Sequence, residues 1–181
     1  MKVFRPLLVL ALVLGAATPS LAPSASAQGT SGPAAQSRPI ELPEFLRLAY
    51  SSALLQAQAA RLVADRDTRP EVKDYAVAEA GFRTNLLQRL ETFAKERNMS
   101  LPAVKELEHQ VILDNLEPLD SLELSRRYAE AQVQALEQEI GIYQAASRDP
   151  DQRINAFAAV TLPELQQQLE LARKMFEAVR P

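Results

Sequence analysis

The chain has 181 residues, 20 basic against 23 acidic side chains, a net charge of −3, no Cys and no Trp. The missing thiols exclude disulfides, zinc fingers, iron–sulfur sites and thiol catalysis. The acidic balance argues against a nucleic-acid partner, which wants a basic face. Ala, Leu, Gln, Glu and Arg, all good helix formers, dominate. No Asn-Gly or Asp-Gly hairpin signal occurs, so composition points to an all-α protein.

Residues 1–27 have the layout of a secretory signal peptide: Lys2 and Arg5, an apolar run from Leu7 to Ala17, then Ala25-Ser26-Ala27 before Gln28. The run is shorter than the about 20 residues of a membrane span. No Cys follows to carry a lipid. The expectation is cleavage after Ala27 and a mature protein in the periplasm or outside the cell, with no transmembrane segment. The leader holds basic residues and no acid, so its removal makes the chain more acidic. Residues 28–41, rich in Ser, Gly, Pro and Ala, read as a flexible linker, and residues 42–180 as a helical bundle domain.

The first helix begins near Pro43, with Phe45, Leu48, Ser52, Leu55, Ala59 and Leu62 on one face. Asp67-Thr68-Arg69-Pro70 ends it and starts a second helix to about Arg97. That seam reads Val72, Ala76, Glu79, Arg83, Leu86, Leu90, Phe93, with two charged residues inside an apolar stripe. Asn98 can end the helix in a left-handed conformation. A shorter helix is expected from Ser100 to about Asn115, with Val104, Leu107 and Val111 inward. A long helix follows over about Leu119–Ala146, its seam including Leu122, Ala129, Val133, Leu136, Ile140 and Tyr143. The last runs from Asp149-Pro150 to Val179, with a kink or break expected before Pro163 because an interior Pro lacks a hydrogen bond. The expected fold is an antiparallel four-helix bundle with an extra short helix and a proline-broken C-terminal helix.

Three stretches carry a family resemblance: Arg69-Pro70-Glu71-Val72-Lys73-Asp74-Tyr75-Ala76, Tyr128-Ala129-Glu130-Ala131-Gln132-Val133, and Leu162-Pro163-Glu164-Leu165. Over about Pro43–Arg180 the chain resembles the exported bacterial domain of unknown function four-one-four-two, often labelled a predicted outer membrane protein. The resemblance implies a ferritin-like four-helix bundle and no established activity. Nothing in the sequence suits a membrane barrel. Typical members carry His where flanking residues align Arg83, Leu136 and Gln168, and Glu at Gln56. If those positions form a metal-binding or polar centre in the family, this sequence has replaced its ligands.

Glu79 and Arg83 are spaced and ordered for a helical ion pair. Two readings apply: an internal pair filling space, or a buried anchor for an anionic ligand. With Gln56 and Gln168 they form the candidate interior polar cluster. Glu106-Leu107-Glu108-His109 has the Glu-x-x-His spacing of di-iron bundles, but His109 is the only histidine and such sites need two motifs. Helical geometry turns it away from the Val104/Leu107/Val111 face, toward solvent. Ser51, Ser52 and Ser125 read as small packing residues, Glu137 and Glu139 as exposed, and Tyr50, Tyr75, Tyr128 and Tyr143 as core-edge residues with hydroxyls toward water.

No catalytic, cofactor-binding or metal-ligating set assembles on this reading. The expected function is a non-enzymatic binding or interaction module of the bacterial envelope, its partner an envelope protein or small ligand. The alternative, by analogy with ferritin-like folds, is a metal-binding or metal-dependent oxidoreductase protein.

Overall fold

The helices are α1 (Leu42–Arg66), α2 (Pro70–Lys95), α3 (Leu107–Leu116), α4 (Ser121–Ala146) and α5 (Gln152–Val179). This computed structural model describes residues 40–103 and 106–180. The expected leader, residues 28–39 of the expected linker and Val104 lie outside the described residues. Ile40, which the sequence assigns to the linker, already packs in the core.

The four long helices are each antiparallel to their neighbours. Tyr50 reaches Glu91 and Arg61 reaches Thr84 between α1 and α2. Asp67 meets Ser125 at one end of the α1/α4 pair, and Phe45 packs on Tyr143 at the other. Arg126 and Arg173 tie α4 to α5, and Arg89 ties α2 to α5. It follows that α2 and α4 are parallel and diagonal. The connection between them must therefore run the length of the bundle, the single long crossover of ferritin-like folds.

That crossover carries α3 over the seam between α1 and α4. Glu106 N–H donates to Ser51 Oγ at 2.7 Å, His109 Nδ1 lies 2.6 Å from the same oxygen, and Arg47 pairs with Glu106 at 2.8 Å. Arg66 holds the far end by donating to the carbonyls of Glu117 and Leu119. Roofed on one side and packed on the others, α1 buries residues around most of its circumference.

Several boundaries and faces differ from the sequence reading. α3 starts at Leu107 rather than near Ser100. Leu107 is 78% and Val111 48% exposed, while Leu113 and Leu116 are buried. The polar anchors on Ser51 set this helix's rotation, bringing His109 half inward and turning Leu107 out. In α4, Leu122 is exposed and Leu124 takes its place in the core. α5 runs unbroken through Pro163, correcting the expected break. Pro163 and Ala159, whose carbonyl it cannot pair, are on the exposed face, and Thr161 bonds back to the Phe157 carbonyl. Asp151, not Asp149, caps α5 by accepting from Arg153 N–H. Asn98 does adopt a positive φ of 53°. Met99 N–H reaches the Ala94 carbonyl around it and Asn98 N–H the Lys95 carbonyl, a Schellman stop for α2.

Candidate functional site: a buried arginine at the bundle centre

The seams of α1, α2 and α4 place polar side chains at mid-length where leucine would otherwise sit. Arg83 on α2 is among the largest fully buried side chains of the described residues. All three of its nitrogens are used. Nε donates to Glu79 Oε1 at 2.5 Å, Nη1 to Glu139 Oε2 at 2.7 Å, and Nη2 to Gln56 Oε1 at 2.7 Å. Gln56 in turn donates from Nε2 to Glu139 Oε2 at 2.8 Å and to Ser52 Oγ at 3.0 Å. Glu79 is one turn before Arg83 on the same helix, so α2 supplies the intrahelical pair, and α1 and α4 supply the rest.

Aromatic rings close the centre at both ends. Tyr75 and Tyr128 lie toward the start of α2, and Tyr75 donates to Gln132 at 3.4 Å. Toward the other end Tyr143 packs edge-on to Phe45, and Phe157 packs against both. Tyr128 and Tyr143 are fully buried, correcting the expectation of hydroxyls in water. Both rings belong to the interior aromatic clusters, Tyr128 against Tyr75 and Tyr143 against Phe45 and Phe157.

The electrostatics follow from two carboxylates facing one guanidinium in a dry interior. Burial alone would lower the Arg83 pKa, but Glu139 and Glu79 together hold it above the ordinary arginine value. Burial raises the Glu79 carboxyl against the opposing pull of Arg83, and Glu139 adds to the rise. Burial also raises the hydroxyls of Tyr75, Tyr128 and Tyr143. Glu79 Oε2, Glu139 Oε1, Tyr128 Oη and Tyr143 Oη have no hydrogen-bond partner among the described residues.

The sequence-derived candidates divide clearly. Gln56, Glu79 and Arg83 meet. Gln168 does not: it is half-buried on α5, with no side-chain bond to the cluster among those described. Glu139, expected on an exposed face, is 1% exposed and completes the network in its place. The signal for Glu139 was available, since it lies on the Gln132–Leu136–Tyr143 face at helical spacing. His109, expected in solvent, is half-buried against Ser51, and Ser51, Ser52 and Ser125 are hydrogen-bonded as well as packed.

A profile of the domain-of-unknown-function family DUF4142 matches residues 25–175. The chain belongs to that family. Neither a curated protein nor a solved structure matches it. Two of the four positions where the resemblance suggested acid or imidazole ligands, Gln56 and Arg83, sit at the centre of this DUF4142 chain, and Leu136 is buried on the same face of α4 as Glu139. The donor set does not fit a metal ion there. A guanidinium occupies the space between the carboxylates and engages an oxygen of each. Among the described residues no group of three or more His, Asp or Glu side chains converges as a possible metal site.

Proposed function

We propose that this chain is an exported, non-enzymatic helical bundle that works by binding, its interior serving as rigid support and its outer surface as the working face. The observation that supports this most directly is the Arg83 network. It fills the bundle centre with side chains bonded to one another and excluded from solvent. A nucleophile with an adjacent, accessible base is the minimum for covalent catalysis. Ser51 with His109 comes nearest, but Ser51 has 0% exposure. Export is supported by the leader pattern of residues 1–27. No helix among the described residues is long and apolar enough to cross a membrane.

The test has two arms. Elemental analysis of the purified mature protein should give no stoichiometric iron, copper, zinc or manganese; one equivalent of any of these would restore the metal-protein alternative. Cross-linking in intact cells, followed by mass spectrometry, should capture a reproducible envelope partner or ligand on the mature chain. A chain found only in the cytoplasm would defeat the export half of the proposal.

A further inference from the structure

The two halves of α3 are held to the bundle in different ways. Its buried apolar residues, Leu113 and Leu116, lie in the second half. The first turn is fastened by polar contacts instead, at Ser51 of α1. Ser51 Oγ accepts Glu106 N–H at 2.7 Å and lies 2.6 Å from His109 Nδ1. The Arg47–Glu106 pair beside them is part-exposed and adds little. Beneath the helix a space of about 80 Å³ remains against α1 and α4, with Leu55, Ile112 and Ala135 in its lining. Leu107 and Val111 are turned outward. Little apolar packing opposes a lifting of the first turn.

We propose that the Ser51–His109 contact is a pH-sensitive latch. It fastens the first turn of α3 over the α1/α4 seam while the imidazole is neutral, and releases that turn when the ring gains a second proton. The latch goes beyond the binding-module reading and does not depend on what the outer surface binds.

Ser51 is fully buried, and its hydroxyl has one proton to place. The hydroxyls of Thr84, Thr92 and Thr161 bond back to the carbonyl four residues earlier in their helices. Among the described residues Ser51 makes no such bond, and His109 Nδ1 is the acceptor that answers it. A neutral ring supplies that acceptor. An imidazolium donates from both nitrogens. Its Nδ1–H then meets an oxygen that already accepts Glu106 N–H, and the Ser51 proton is stranded in a buried site. Turning Oγ to a helix carbonyl would place the proton but abandon Glu106 and His109. The charged groups around the ring come from every element packed on it. α1 brings Arg47, and α3 brings Glu106, paired with Arg47, and the exposed Glu108. α4 brings Glu139, which Arg83 and Gln56 already hold. His109 also sits in the first turn of α3, the positive end of the helix. Burial, Arg47 and the helix end oppose the added charge. Two of the three carboxylates are committed to arginines, and the third is in water.

His109 is the only histidine, so the C2 proton of its ring is a single signal in NMR of the whole mature protein. The expected midpoint lies below that of an ordinary histidine, because the latched state prefers the neutral ring. By the same linkage, latching is complete above the ordinary midpoint and is lost as pH falls below it. Amide exchange at Glu106 and through the first turn of α3, corrected for intrinsic rate, should quicken about fivefold or more from about pH 7.5 to about pH 5. Exchange in the middle of α2 and α5 should not quicken with it. His109→Gln, which cannot take the charge, should lose this pH dependence. Ser51→Ala, which lacks the hydroxyl, should move the ring midpoint up toward the ordinary value. A wild-type midpoint at or above that value, α3 exchange that is flat with pH, or the same pH dependence in His109→Gln overturns the proposal. If His109→Gln fails to fold, the Ser51→Ala midpoint decides the matter, and an unchanged midpoint overturns it.

Discussion

Arg83 and Glu139 stand 56 positions apart in the chain, yet Nη1 and Oε2 are 2.7 Å apart and neither side chain meets solvent. Pairs of this kind are asymmetric in energy. Removing one partner strands a charge in a dry interior, at a cost of about 3–5 kcal/mol, whereas replacing the whole set with apolar groups is often neutral or stabilising. Arg83→Met should therefore lower the urea-unfolding free energy by about 3–5 kcal/mol. The combined Arg83→Met, Glu79→Leu, Glu139→Leu variant should recover most of that loss. A triple variant as unstable as the single one would show that the network does more than compensate its own burial.

The pH dependence of stability should carry the signature of Glu79. Its carboxyl is raised above the ordinary value of 4.5, chiefly by burial. Arg83 on the same helix bonds it, and Glu139 on α4, Tyr75 on α2 and Tyr128 on α4 are the other titratable groups that interact with it. A carboxyl with a raised folded-state pKa contributes stability in full below its unfolded value, and loses it as pH rises through the folded value. The stability of the wild type relative to Glu79→Gln, which mimics the protonated form, should fall as pH rises above about 4.5. Urea midpoints for both proteins across that range would show it. A difference that stays constant with pH would remove Glu79 as the titrating group.

Ser51 fastens the crossover by receiving Glu106 N–H at 2.7 Å and meeting His109 Nδ1 at 2.6 Å. Ser51→Ala strands the Glu106 N–H and removes one contact of His109, at a cost of about 1–3 kcal/mol. The loss should be local. Amide hydrogen exchange at Glu106 and along α3 should quicken, while exchange in the middle of α2 and α5 stays slow. Uniform acceleration through all five helices would place Ser51 in the global core instead.

Pro163 lies inside α5 on its exposed face. It offers no N–H to the Ala159 carbonyl, and an interior proline costs a helix about 3 kcal/mol. Pro163→Ala should raise stability, by up to about 3 kcal/mol, with a matching rise in the thermal midpoint. A loss of stability on this change would mean that the proline ring contributes more to the folded state than its missing hydrogen bond costs.

Much of this architecture is legible in the seams. The stripe Val72, Ala76, Glu79, Arg83, Leu86, Leu90, Phe93 is buried as its period requires, because helical spacing alone decides which side chains share a face. Asn98 ends α2 for an equally local reason, since asparagine tolerates the left-handed region. Glu139 and His109 were misplaced because their surroundings are not local. Glu139 is drawn into the interior by an arginine on another helix, and His109 is turned inward by a serine 58 positions away. Gln168 stays outside the network for a reason equally non-local, half-buried on α5 with no side-chain bond to the cluster among the described residues.

The amino-acid order therefore settled the all-helical class, the helix count, most of their inward faces and the presence of charge in the α2 seam, since each depends on residues within a few turns of one another. Folding in three dimensions decided which carboxylate completes the Arg83 network and which seam the crossover roofs. Those outcomes depend on how distant helices rotate against one another, and that rotation is set by the joint satisfaction of buried polar groups, which no single stretch of chain contains.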